Sequence, residues 1–350
     1  MKRLLCILIA VLSLCAVCRA DGQDEIEDAI PDGVQELVGD GDIEAEGFFK
    51  RLLAYAGDTL SDSLKPVLGR AVSVIAVSLL CSVLGIFAGG QTPDYVPLCG
   101  CAAITALCIG DIGSYIRLGA ETVDQISVFS KVLLPAMCTL SAATGAVSTA
   151  AAKYAASALF MDLYISLMQG VILPCIYAYL AAGAAAAAFS SEALNAVSSA
   201  LKWLVKAAMT VLSLGFTIYL GISSAIASGG DAIATKLTKT SISLFLPVVG
   251  GIISDAASSV VAGAQILRNS AGVLGLAAIT AMCAAPLLKT ALYYLSFKAA
   301  SAMSSAFGTK ELGQLTGSIG TAFGMMLGLI GACGIILFVS TVSCIRTVTG

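Results

Sequence analysis

No histidine occurs anywhere in this chain. Its absence excludes Ser-His-Asp and Cys-His catalysis, histidine-ligated metals and the commonest proton relay. Intramembrane protease patterns that pair His with Ser, or His-Glu with His, are excluded too. Charge is scarce: 12% of residues are charged, about half the roughly 25% of a soluble domain. There is no Walker-type glycine loop, so the chain does not itself hydrolyse nucleotide. No run of clustered Lys and Arg suits nucleic acid. Nothing in the sequence implies a catalytic residue, a cofactor or a metal.

Apolar residues fill the space that charge leaves, at 58% of the chain. Long apolar stretches recur from residue 71 to residue 345. A water-soluble fold of this size cannot hide them, whereas a bilayer solvates them directly. The fold class expected is all-α. It is a polytopic membrane protein with about eight transmembrane helices, at residues 69–88, 96–114, 132–152, 157–188, 203–227, 242–266, 272–297 and 318–345. The fourth segment exceeds one straight crossing and calls for an interfacial turn or a kink at Pro174. Val123, Ile126, Phe129 and Leu133 continue a helical stripe, so the connection between the second and third spans is expected to be helical as well. Of twelve cysteines, Cys6, Cys15 and Cys18 precede residue 20, and most others lie in apolar runs, where cysteine behaves as a small hydrophobe. Cys99 and Cys101 have no second pair nearby to complete a metal site.

Residues 1–20 carry Lys2 and Arg3, then an apolar run, then Cys18-Arg19-Ala20. This is the layout of a secretory signal peptide cut after Ala20, with lipidation at Cys15 or Cys18 and a retained anchor as alternatives. Residues 21–46 hold 11 acidic side chains and no basic one. Such a segment is easily translocated, because retention inside is driven by positive charge; it is expected to be flexible. From residue 48 to 64 the pattern turns helical. Phe49, Leu52, Leu53, Ala56, Leu60 and Leu64 form an apolar face suited to the membrane interface, and Pro66 marks the expected end. The positive-inside count does not decide the orientation of the remaining loops.

An offset of 112 residues places Leu134-Pro135 on Leu246-Pro247 and Pro174 on Pro286. The candidate kink prolines are therefore Pro135, Pro174, Pro247 and Pro286. Three spans in each copy would invert the second copy relative to the first, the plan of many secondary transporters. The units expected are the signal peptide (1–20), the exported acidic segment with its interfacial helix (21–66), two spans with a helical connection (67–131), repeat A (132–241) and repeat B (242–350).

Five charges lie inside or near the ends of apolar runs: Asp111, Asp162, Lys206, Asp255 and Lys289. A charge at mid-span costs about 2.5–3.5 kcal/mol on insertion scales, so it faces a partner or a water-filled cavity. Asp255 and Lys289 are the deepest. They fall in consecutive antiparallel spans and are the candidate pair. The last span carries Gly313, Gly317, Gly320, Gly324, Gly328 and Gly331 on one face, which lets another backbone approach closely. Whether that neighbour belongs to this chain or to another subunit is left open by the spacing.

The order of these features resembles the stage III sporulation protein AE family. The most specific stretches are Leu246-Pro247-Val248-Val249-Gly250-Gly251, Ser254-Asp255-Ala256 and Arg268-Asn269-Ser270-Ala271-Gly272-Val273, with Leu133-Leu134-Pro135 followed by residues 141–151. Arg268 stands where Lys is expected and keeps the charge. The resemblance implies a multi-pass subunit of a channel or secretion complex between mother cell and forespore, placed in the mother-cell membrane around the forespore. Its implied partners are the other membrane proteins of that complex and the lipid bilayer, with a second copy of the chain as a further candidate. The competing reading from the repeat is an autonomous secondary transporter.

Overall fold

The computed structural model describes residues 26, 28–38, 45–87, 95–143, 147–245, 250–307 and 310–346, and from 220 to 269 it describes the backbone without the side chains. The expected signal peptide lies outside the described residues. Everything regular among them is helical: α1 (Asp32–Val38), α2 (Ala45–Phe87), α3 (Tyr95–Ala143), α4 (Val147–Leu167), a π-helical segment (Met168–Ile172), α5 (Leu173–Phe189), α6 (Glu192–Phe245), α7 (Gly250–Phe307) and α8 (Lys310–Arg346).

Six stretches among the described residues are long and apolar enough to cross a membrane: Gly47–Phe87, Tyr95–Ala142, Ala150–Phe189, Glu192–Phe216, Ser270–Phe307 and Lys310–Ile345. The expected span 242–266 lies outside the residues this count covers, and 132–152 is divided between α3 and α4. The segments 96–114 and the start of 132–152 lie on one uninterrupted helix, α3, and most of 242–266 lies with 272–297 on α7. A continuous helix does not turn back, so segments sharing one are not antiparallel crossings. The inversion of the second repeat rested on three crossings in each copy, and two of those three here occupy a single helix. Side chains at 242–266 lie outside the described residues. The 49 residues of α3 extend about 74 Å at 1.5 Å per residue, well beyond a hydrocarbon core of about 30 Å. Its continuity follows from its stripe: Ile116, Val123, Ile126, Phe129 and Leu133 are all buried. The expected boundaries at 66/67, 131/132 and 241/242 fall inside α2, α3 and α6.

The α7–α8 hairpin forms the centre. Its two most apolar windows are 61% and 56% buried, against 17–33% for the other four. α2 packs on α7, while α3, α4 and α5 pack on α8. Side-chain hydrogen bonds tie these layers together. Ser78 Oγ meets Ser304 Oγ at 2.9 Å, and the Tyr164 hydroxyl donates to the Leu329 carbonyl at 2.5 Å. Ser157 and Ser340 pair as well, as do Gln314 and Asn195. Contacts of this kind are worth roughly 0.6 kcal/mol each in a bilayer.

Two proline expectations resolve differently. Pro66 lies inside α2 without ending it. The helix loses one backbone bond there and continues, since Val67, Ala71, Val74 and Ser78 keep one face buried. The expected interfacial face is the outward one: Phe49 and Leu53 are exposed, while Phe48, Thr59 and Ser63 are buried. Pro174 follows a π-helical turn, in which the Leu173 N–H donates to the Met168 carbonyl. The wider turn makes room where proline removes a donor and crowds the preceding carbonyl. The acidic segment departs from the expected flexibility. Ile26, Ile30, Leu37 and Val38 are buried in the core, so the described part of the acidic segment is docked rather than free. Their spacing, with Val34 between, is helical; the count of carboxylates masked it.

The α5–α6 turn is set locally. Ser190 adopts φ 48°, ψ 36°, and the Ser190 and Ser191 N–H groups both donate to the Ala186 carbonyl. This closes α5 with a left-handed cap. The Ser191 hydroxyl then accepts from the Leu194 N–H, and Glu192 opens the first turn of α6, where a negative charge suits the helix dipole.

Candidate functional site

Asp111 is the one expected intramembrane charge that finds an ion-pair partner among the described residues, and that partner is Arg70 on α2. Arg70 Nε lies 2.5 Å from Asp111 Oδ2 and Nη2 lies 3.2 Å from Oδ1, a two-pronged contact. Two hydrogen bonds in the guanidinium fork fix the relative register of α2 and α3. The signal for Arg70 was in the sequence. Arg70 and Asp111 each lie about twenty residues from the middle of the 88–94 connection, so equal rise per residue puts them at one depth.

One turn beyond Asp111, Tyr115 enters an aromatic cluster with α7 and α8. Its ring centroid is 4.1 Å from that of Tyr293 and 5.8 Å from that of Phe323. Phe297 stacks on Tyr293 at 6.2 Å and meets Phe323 at 5.4 Å. The pair and the rings together make α2, α3, α7 and α8 meet at one level. The arrangement holds helices; it presents no nucleophile beside a base. Among the described residues, no group of three or more His, Cys, Asp or Glu is placed to hold a metal.

The other candidates are dispersed. Asp162 is exposed on α4, and Lys289 is half-buried on α7; neither forms an ion pair among the described residues. Asp255 is on α7 too, about 50 Å along the axis from Lys289 at 1.5 Å per residue. The expected pairing across antiparallel spans is therefore corrected, because the two residues share one helix. The Asp255 side chain lies outside the described residues. Lys206 lines a cavity with Lys202 and Lys298. Pro135 and Pro286 lie inside α3 and α7, and Pro247 lies outside the described residues. Next to Lys289, the Thr290 hydroxyl is fully buried with no hydrogen-bond partner among the described residues. Thr290→Val removes an unsatisfied group at constant shape. It is expected to leave stability unchanged or raise it by about 1 kcal/mol in a detergent melt.

The glycine face of α8 meets its own chain. A Cβ on Gly320 would lie 3.2 Å from Phe297 Cβ and 3.4 Å from the Lys298 backbone nitrogen, and on Gly313 it would lie 3.0 Å from Ser305 Cα. On Gly317 it would approach Ser301 Oγ at 2.8 Å, and on Gly324 the Tyr294 ring at 2.9 Å. Gly328 faces Met209 of α6, and Gly331 has only Leu287 Cδ2, at 4.0 Å. The Ser301 hydroxyl donates to the Gly313 carbonyl at 2.8 Å, which the close approach allows.

Lys153 was expected on a loop and is instead buried in α4, where its ammonium donates to the Ser343 carbonyl at 2.5 Å. Ser343 is in the last turn of α8, the negative end of that helix. Its flanking alanines gave no sign of a helix position chosen for a charge.

A sequence profile described as Stage III sporulation protein AE matches residues 29–348. The chain belongs to that family. A curated relative, stage III sporulation protein AE of Bacillus subtilis (strain 168), is 26% identical over 196 residues, covering 55% of this chain and 48% of the relative. The chain thus spans about half the length of the curated relative it matches. No solved structure matches. Membership of the stage III sporulation protein AE family agrees with the helical site above: packing positions and ion pairs, in a multi-pass sporulation protein.

Proposed function

We propose that this chain is an integral membrane subunit of a sporulation-specific channel or secretion complex linking mother cell and forespore, needed for forespore development and late forespore gene expression. The observation that carries the reading is family membership over residues 29–348. Two features of the fold support it. The long helices α3, α6 and α7 outreach a bilayer and offer helical surface to other membrane proteins of the same complex. The site built around Arg70 and Asp111 holds helices in register, as a structural subunit requires. In this reading the chain sits in the mother-cell membrane around the forespore.

Deleting the gene in its spore-forming host is expected to give small or collapsed forespores and failed late gene expression after completed engulfment. Normal sporulation in the deletion would overturn the reading and leave a secondary transporter, to be tested by flux into liposomes.

A further inference from the structure

Lys202 and Lys206 stand one turn apart on α6, and Lys298 faces them from α7. With α8 they enclose a half-open cavity of about 540 Å³, within the size range of ligand pockets. Two glycines of α8 create the space: Gly324 and Gly328 line it, and a Cβ on either would come within 2.9 Å of Tyr294 or Met209. Among the described residues Lys298 donates to neutral acceptors alone, Thr321 Oγ1 at 3.0 Å and the Gly317 carbonyl at 3.4 Å. Among the described residues no carboxylate lines the cavity. Three like charges close together in apolar surroundings call for an anion from outside the chain.

The cavity has two chemistries. The three lysines and Thr321 supply polar lining, and Met209, Met325 and Leu327 supply apolar lining. Outside, Trp203 is 70% exposed beside Lys202, and Leu295 is 62% exposed one turn before Lys298. Exposed tryptophan marks the headgroup level of a membrane, and exposed leucine marks acyl chain. We propose that this cavity binds the phosphoryl headgroup of an anionic phospholipid, with the lysines on the phosphate and the start of an acyl chain against the methionines. Basic pockets between transmembrane helices recognise anionic headgroups in this way. A soluble phosphate would satisfy the lysines and leave the apolar part unused.

Trp203 is the only tryptophan in the chain and directly follows Lys202, so its fluorescence reports lipid beside that lysine. The full chain is reconstituted with brominated phosphatidylglycerol or brominated phosphatidylcholine at equal mole fraction. Stronger quenching by phosphatidylglycerol is expected, with the preference falling about fivefold for each lysine removed. Lys298→Gln should weaken it about fivefold and the triple Lys202→Gln, Lys206→Gln, Lys298→Gln variant should abolish it, while Lys298→Arg should keep it; an unchanged circular dichroism spectrum shows that each variant is folded, and the single variant serves if the triple is not. Equal quenching by the two lipids, or a preference indifferent to the lysines, overturns the proposal. Reversal of the preference by excess inorganic phosphate overturns the lipid as the source and assigns the lysines to a soluble phosphate.

Discussion

Asp111→Ala is expected to cost the folded protein about 2.5–3.5 kcal/mol, the cost insertion scales give to an unpaired charge within a span, since the partly buried Arg70 would lose its carboxylate. Arg70 has no second carboxylate among the described residues: both of its hydrogen bonds go to Asp111. Removing the acid leaves a guanidinium among apolar side chains on α2, close to Tyr293 and facing α3. Water relieves such an orphan in a soluble protein; a bilayer supplies none. Arg70→Ala should cost a similar amount. The pairwise nature of the effect gives the sharper test. The double variant Arg70→Leu, Asp111→Leu should recover most of the loss, because replacing both charges by apolar groups is often neutral or stabilising. Melting temperature in detergent and the amount of protein in membranes are the two readouts. Single variants that melt like the parent would show that the pair contributes nothing. A double variant as unstable as the singles would mean the residues matter for packing and not for charge.

Gly320→Leu is expected to be the most damaging single change on α8. The atoms that a new side chain meets are Phe297 Cβ and the Lys298 backbone, and backbone cannot rotate away as a side-chain tip can. Overpacking costs about 1–3 kcal/mol where neighbours can adjust and more where they cannot. Here the only relief is separation of α7 from α8, which would also draw Ser301 away from the Gly313 carbonyl. Gly313→Leu should behave alike, since Ser305 Cα is the obstacle there. Gly331→Ala is the internal control. Its Cβ would meet only Leu287 at 4.0 Å, and alanine favours helix over glycine by about 1 kcal/mol. That variant should match or exceed the parent in melting temperature. Equal stability of Gly320→Leu and Gly331→Ala would show that the α7–α8 contact is looser than described.

The two predictions also mark where sequence reading reached and where it stopped. The six glycines of α8 announced a close approach through spacing alone, because side-chain direction repeats with the helical period. Spacing carries no information about the partner, which the folded chain supplies as α7 through Tyr294, Phe297, Ser301 and Ser305. Asp111 was visible as a charge in an apolar run. Arg70 went unremarked because it sits at the start of such a run, where a basic residue is unexceptional. Pairing Asp255 with Lys289 needs a turn at residues 267–271, where Arg268, Asn269 and Ser270 interrupt the apolar run. Continuous α7 removes the turn, and hydropathy cannot see that difference: a helix leaving the bilayer and a helix ending at its surface have the same local pattern.

By itself, the sequence determined the solvent and therefore the class. So much apolar length with so little charge leaves helices in a bilayer as the arrangement in which every backbone donor finds its acceptor within its own segment. The absence of histidine settled equally early which chemistries are excluded. Tertiary structure alone decided which helices are central, that α7 and α8 form the core, that Arg70 meets Asp111, and that Lys298 shares a cavity with the distant Lys202 and Lys206. The reason is physical. Helix formation depends on neighbours within one or two turns, which any reading of the chain can reach. The pairing of helices depends on shape and charge summed over faces hundreds of residues apart in sequence, and those faces exist only once the chain has folded.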